Sequence, residues 1–304
     1  MRTLSIAAVL LAFSVVVMGA YVRLSDAGLG CPDWPMCYGQ PLPTAIADGN
    51  ALAKAWKEMG HRYLAGTLGV LIIALALIAW RQRRTRLLAA SIVLLVAFQA
   101  TLGKWTVTML LKPAIVTAHL AGGMATLALL IWLALAQRAH ASAPEMRALR
   151  PVAAAALAVL ALQILLGGWV SANYAALACP DLPLCRGAMD YASAFHVVRE
   201  LGQTADGQLL SFDALRAIHW THRLFALVAL AAVLFASVRA FPLSRPLAVT
   251  LAALVALQFA LGVANVALGL PLSLAAAHNA GAALLLAALV VLNFFVFRGL
   301  RPSF

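Results

Sequence analysis

The stretch HRYLAGTLGVLIIALALIAW, residues 61–80, opens with a His-Arg pair and then runs to Trp80 without a charge. About 20 helical residues rise about 30 Å, the depth of a bilayer's hydrocarbon core. Comparable apolar runs occupy roughly 4–22, 62–80, 87–105, 114–136, 151–170, 217–238, 247–267 and 273–297. Lipid offers the backbone no hydrogen-bond partner, so each run must satisfy its own groups as a helix. The expected fold is therefore an all-α integral membrane protein with eight transmembrane helices. Composition agrees: 64% of the 304 residues are hydrophobic and 11% charged, whereas soluble domains carry about a quarter charged.

The formal charge of +12 raises the question of nucleic acid, and its placement answers it. Basic residues follow every second run: Arg81, Arg83, Arg84 and Arg86; Arg138, Arg147 and Arg150; Arg239 and Arg245; Arg298 and Arg301. With Arg2 they make 12 of the 22 cations and meet one acid, Glu145; the other side sets ten cations against nine acids. That is the positive-inside bias, which places both termini in the cytoplasm and leaves no nucleic-acid role. The first run, with Arg2 ahead of it and VMGA near its end, also has the form of a cleaved signal peptide. Its counterpart later in the chain argues for a retained helix.

That counterpart is part of an internal repeat. CPDWPMC (Cys31 to Cys37) recurs as CPDLPLC (Cys179 to Cys185), and HRYLAG at His61 recurs as HRLFAL at His222. QATLG at Gln99 recurs as QFALG at Gln258, each followed by a histidine, His119 and His278. The expected organisation is two pseudo-symmetric four-helix bundles, residues 1–140 and 151–304, joined by a cytoplasmic linker at 141–150.

All four cysteines fall in the loops that the charge bias places outside. An oxidising compartment makes disulfides within each C-x5-C pair the expected state. Zinc is the alternative, but the two pairs lie in different halves without loop histidines beside them. No C-x-x-C-H occurs, which excludes covalent c-type haem.

Of seven histidines, His140 in the linker and His196 in an outer loop read as solvated. The other five, His61, His119, His219, His222 and His278, lie at or within helix ends, where ionisable residues are costly and usually functional. Four of them match across the repeat. Two neutral imidazoles from different helices of one bundle can hold an iron porphyrin axially, the arrangement of b-type haem. Gly66, Gly69, Gly122 and Gly123 would let a macrocycle approach the backbone. Arg62 and Arg223 offer a fork of donors suited to haem propionates; a snorkelling arginine is the plainer alternative. His61 and His222 are read as opening their helices, with one haem site expected per half.

With these features the chain resembles the haem A synthase family, the CtaA/Cox15 group, along nearly its whole length. VRLSDAGLGCPDWPMC, Val22 to Cys37, is similar to the family's R-L-T-x-S-G-L signature followed by C-P-D-W-P-x-C, with mild departures at Ser25 and Ala27. EMGHR matches E-x-x-H-R and supplies Glu58, His61 and Arg62; His119, His222 and His278 fall on the remaining family histidines. The resemblance implies oxidation of the C8 methyl of haem O to a formyl group, giving haem A, with one haem B kept as cofactor. It implies haem O between His61 and His119, beside Arg62, and haem B between His222 and His278, beside Arg223. It also implies a bacterial plasma membrane location and a haem O synthase as donor.

Only the first half carries a carboxylate one turn before its histidine, Glu58, where the second half has His219. Glu58 is therefore the candidate catalytic residue, able to stabilise positive charge at the reacting carbon or accept a proton. Its plainer alternative is an interfacial acid paired with Lys54, Lys57 or Arg62. Two other functions fit the same pattern: a di-haem b-type cytochrome exchanging electrons with quinone, and a haem carrier or permease. The electron acceptor, homo-oligomerisation and the role of His219 stay open at this point.

Overall fold

The computed structural model describes residues 1–44, 46, 48–81 and 85–300; Arg83, Arg84 and Arg301 of the basic clusters lie outside the described residues. The described chain is helical, with isolated bridges and no strand among the described residues. The helices are α1 (Arg2–Leu24), α2 (Gly49–Trp80), α3 (Arg86–Thr108), α4 (Pro113–Ala136), α5 (Arg150–Ala172), the single turn α6 (Tyr191–Ala194), α7 (Phe212–Ala240), α8 (Arg245–Ala267) and α9 (Leu272–Arg298). All but α6 are long and apolar enough to cross a membrane.

Local chemistry sets the ends. Asp48 caps α2 by accepting the N–H of Asn50 at 2.8 Å, and Ser211 caps α7 by accepting that of Ala214 at 3.1 Å, each satisfying an orphan amide of the first turn. Proline in the first turn of α4, α5 and α8 costs no helical hydrogen bond there. Gly299 closes α9 in the left-handed region, φ 62°, its N–H reaching Phe295 O.

Two expectations are corrected. His61 and His222 do not open their helices: α2 begins at Gly49 and α7 at Phe212, so both histidines lie about three turns in. The added turns of α2 are too polar to extend a hydropathic run, yet Ala55, Glu58 and Met59 form a buried stripe at helical spacing. His140 is partly buried rather than free in solvent. The linker folds back on the end of α9, with Ala143 N–H donating to Gly299 O. This sets the His140 ring 5.0 Å from that of Phe295 and 5.6 Å from that of Phe294. His196 is exposed.

In the first half α1 packs on α2 and α4, and α3 packs on both of those; in the second, α5 packs on α7 and α9, and α8 on both of those. α1, α4, α5 and α9 make the contacts between halves. Two thirds of the most apolar window of α9 is buried (67%), against 17–33% for the other spans, so α9 is an interior helix. Apolarity on all sides suits that position.

Burial is layered along the helices. One large apolar cluster at the end nearer the termini joins Ala12, Leu75, Leu130, Leu160, Leu251 and Leu289. Two small clusters lie at the loop end, one around Trp169 and Ile218, the other around Cys31, Cys37, Ala55 and Met59. In α2, His61 falls between Met59 of a loop cluster and Leu68 of the large one. The repeated histidines occupy the level between the layers.

Candidate functional site

Each of the four repeated histidines sits on the second helix of a hairpin, and its ring faces a glycine on the first. A Cβ at Gly19 of α1 would lie 2.9 Å from His61 Cε1, and one at Gly103 of α3 would lie 3.2 Å from His119 Cε1. At Gly167 of α5 the distance to His222 is 3.0 Å, and at Gly262 of α8 the distance to His278 is 3.2 Å. These are tighter than ordinary van der Waals contact, so the bare backbone is what admits the rings. Of the glycines singled out from sequence, Gly122 and Gly123 face Gln99, and a Cβ at Gly66 would meet nothing within 4 Å.

The His61 and His119 ring centroids lie 6.5 Å apart, nearly perpendicular at 85°. That is too far for a direct hydrogen bond and suits one metal ion between two nitrogens, each bond being about 2 Å. The Nδ1 atoms of His61, His119 and His278 are buried without a hydrogen-bond partner, which is unusual for buried polar groups. Imidazoles brought together in an apolar layer, with spare ring nitrogens, form a donor set that fits iron porphyrin.

The His-Arg pairs anchor the cysteine loops. Arg62 Nη1 donates to Met36 O at 2.7 Å and Asp33 O at 3.0 Å, and Nη2 pairs with Glu58 Oε1. Arg223 Nη1 donates to Asp181 O at 2.7 Å and Nη2 to Cys179 O. Its Nε donates to His219 Nε2 at 3.3 Å. His219, unexplained by sequence, is thus the counterpart of Glu58: each sits four residues before the arginine it holds. Propionate recognition was the sequence reading of these arginines; the structure adds their hold on the loop carbonyls.

Glu58 is 4% exposed. Its Oε2 accepts the Cys31 N–H at 2.9 Å, so two of about four lone-pair positions are used. Lys54 pairs instead with Asp26 at 3.1 Å. Gly30 explains how the loop comes so close: a Cβ there would lie 2.6 Å from the backbone of Lys54. Disulfides Cys31–Cys37 and Cys179–Cys185 close the two loops, with Cα–Cα 4.8 and 5.2 Å. In the first loop Asp33 accepts the N–H of Tyr38 at 2.6 Å and of Gly39 at 2.8 Å. Desolvation is the largest single effect and acts upward, but the Gly39 and Tyr38 amides together with the Arg62 charge outweigh it and hold the carboxyl below the ordinary value. No group of three or more metal-type side chains stands together among the described residues, so the zinc alternative lacks a ligand set.

Arg23, from the signature stretch, ties the halves: it donates to Ser171 O at 2.8 Å and lies 3.8 Å over the Tyr174 ring. Sequence reading missed Gly19, Gly103, Gly167, Gly262 and Gln163. Their signal was present, since QILLG at Gln163 has the same spacing as QATLG and QFALG.

Fold and site together define a polytopic, helical membrane protein with paired histidines at one level of the bundle and disulfide-closed loops above them. The family model described as cytochrome oxidase assembly protein, COX15-CtaA, matches residues 2–290, and the chain belongs to that family. It is similar to the protein named Heme A synthase of Shewanella oneidensis, 42% identical over 93% of this chain and 92% of that one. Proteins of the same name from Caulobacter vibrioides (32% identical; 95% and 93% covered) and Halalkalibacterium halodurans (32%; 70% and 73%) are also similar.

Proposed function

We propose that the protein is a haem A synthase, an oxidoreductase acting on a CH group: it converts the C8 methyl of haem O to the formyl of haem A. The methyl group gives up two hydrogens and gains one oxygen, a four-electron oxidation whose electrons pass to an external electron acceptor. The observation that carries the reading is the four-fold seating of histidine rings against glycine at one level, with His61 and His119 spaced for a single metal. The names of the relatives point the same way.

In this reading residues 1–140 hold haem O between His61 and His119, and residues 151–304 hold haem B between His222 and His278, with 141–150 as linker. Haem B supplies a one-electron carrier when bound. His61 and His119 fix the substrate so that its C8 methyl is presented at a constant position. Glu58 stands one turn before His61, and its buried negative charge stabilises positive charge developing at that carbon. Arg62 and Arg223 hold the loops that cover the histidines and lend positive charge to propionates. We place the protein in the bacterial plasma membrane with both termini cytoplasmic and the cysteine loops outside, receiving haem O from a haem O synthase.

The test is to purify the protein from cells supplied with haem O, extract the haem and resolve it by chromatography. Haem B together with haem O or A is expected, and His61→Ala or His119→Ala should stop haem A formation while keeping haem B. Haem B alone, lost equally on replacing any of the four histidines, would mean a di-haem cytochrome. Absence of bound haem would mean a carrier.

A further inference from the structure

The four histidines are not held alike. Four residues before Gly19, Gly103, Gly167 and Gly262 stand Val15, Gln99, Gln163 and Gln258, one turn away on the same helix face. Gln99 Nε2 donates to the main-chain carbonyl of His119. Gln163 Nε2 lies 3.2 Å from His222 Nδ1 and 3.2 Å from its carbonyl. Gln258 Nε2 lies 3.3 Å from the ring Nε2 of His278. In all three glutamines the amide Oε1 is buried without a partner, so each amide is kept there at a cost in desolvation.

Two hairpins interlock a second time. A Cβ at Gly122 or Gly281 would strike Oε1 of Gln99 or Gln258, and these glycines lie three residues after His119 and His278. Imidazole enters one notch and amide the other. The α1–α2 hairpin has half of this device. Val15 has no side-chain amide to offer His61, and the residue three after His61 is Leu64.

A metal-bound imidazole is oriented by whatever touches the rest of the ring, and such contacts affect ligand hold strongly. A cofactor must stay bound, whereas a substrate must be exchanged at every turnover, so on the substrate side a bond to iron has to open. The one histidine without a glutamine lies on that side. We propose that Gln163 and Gln258, through the rings, and Gln99, through the main-chain carbonyl of His119, are positioning residues that lock His222, His278 and His119, and that Val15 leaves His61 the exchangeable ligand through which haem O enters and haem A leaves. This rests on assigning His61 and His119 to substrate and His222 and His278 to cofactor.

The experiment measures transfer of haem A from the purified, product-loaded protein to excess apomyoglobin, alongside the electron paramagnetic resonance signal and midpoint potential of the cofactor haem. Val15→Gln should slow haem A release about tenfold or more, in line with the effect of such contacts on metal affinity. Val15→Leu should release at the parent rate, and Gln99→Val should release faster. Gln163→Val and Gln258→Val should shift the cofactor signal and potential, which Val15→Gln should leave alone. Release unchanged in both Val15→Gln and Gln99→Val would overturn the proposal, as would equal slowing by Val15→Leu. His61→Ala, loaded with added haem A, separates the two levels: if it holds and releases haem A like the parent, the substrate-pair assignment itself fails. If it loses haem A while Val15→Gln and Gln99→Val change nothing, only the lock fails.

Discussion

The carboxylate of Glu58 in α2 accepts the main-chain N–H of Cys31 at 2.9 Å, so one side chain joins the disulfide loop to the helix turn carrying His61. The same carboxylate pairs with Arg62, which holds the carbonyls of Asp33 and Met36. Loop, disulfide and candidate catalytic group are therefore one mechanical unit. The second half repeats the unit with His219 in place of the acid, which keeps the arginine in place and drops the negative charge.

This separates the anchoring role of Glu58 from its charge. Glu58→Gln keeps an oxygen for the Cys31 amide and removes the charge. Haem O should still bind, haem A formation should fall on the order of 10² to 10³, and the cofactor spectrum should not move. The change also removes the acid partner of the part-buried Arg62, which keeps its bonds to Asp33 O and Met36 O, so the cost should stay below the roughly 3–5 kcal/mol of breaking a fully buried pair. A folded Glu58→Gln protein with normal haem A yield would leave the residue as a loop anchor alone.

The two disulfides should differ in consequence. The Cys31 main-chain amide is bonded to Glu58, whereas the main chain of Cys179 is held through its carbonyl by Arg223. Cys31→Ser should reduce haem A yield more than Cys179→Ser, with both proteins keeping haem B. Equal losses would show that the first loop has no privileged link to the chemistry.

Acid should loosen the first loop through Asp33. Its carboxyl is held below the ordinary value in the folded loop, so its contribution is present above the unfolded value of about 3.9 and is lost as pH falls through the folded one. Hydrogen exchange at the Tyr38 and Gly39 amides should rise, relative to intrinsic rates, as pH falls through that window. Asp33→Asn should show the faster exchange already at neutral pH. A pH-independent protection in the parent protein would remove the carboxylate from the account.

Topology is tested by reporters fused after Ala143, Leu243 and Phe304, which should read cytoplasmic, and within residues 200–210, which should read external. A cytoplasmic reading for the loop at 200–210 would reverse the sidedness derived from the arginine bias.

Helix number, the repeat and the four histidines were legible because hydropathic length and motif recurrence survive without tertiary information. The true start of α2 was not, because GNALAKAWKEMG carries its buried stripe of Ala55, Glu58 and Met59 among polar residues. The partial burial of His140 depends on the linker returning to α9, a contact between residues about 150 positions apart in sequence. The glycines facing the histidines were overlooked for a related reason. Glycines on the histidine's own helix were considered, whereas the ring leaves its helix and meets the preceding one.

That last relationship yields the sharpest test of the paired sites. Alanine is a better helix former than glycine by about 1 kcal/mol, so Gly→Ala in a span should be neutral or stabilising unless the new methyl meets something. At Gly167 and Gly262 it meets the rings of His222 and His278 at 3.0 and 3.2 Å; at Gly19 and Gly103 it meets those of His61 and His119 at 2.9 and 3.2 Å. Gly66→Ala, with nothing within 4 Å, is the control. Gly167→Ala and Gly262→Ala should alter or remove the cofactor haem spectrum. Gly19→Ala and Gly103→Ala should preserve that spectrum and lower haem O binding and haem A yield. Gly66→Ala should change none of these. Each methyl acts by turning one imidazole rather than deleting it, so the split between halves does not depend on losing a ligand outright. Loss of the cofactor spectrum in Gly19→Ala or Gly103→Ala would show that the two histidine pairs do not divide between substrate and cofactor.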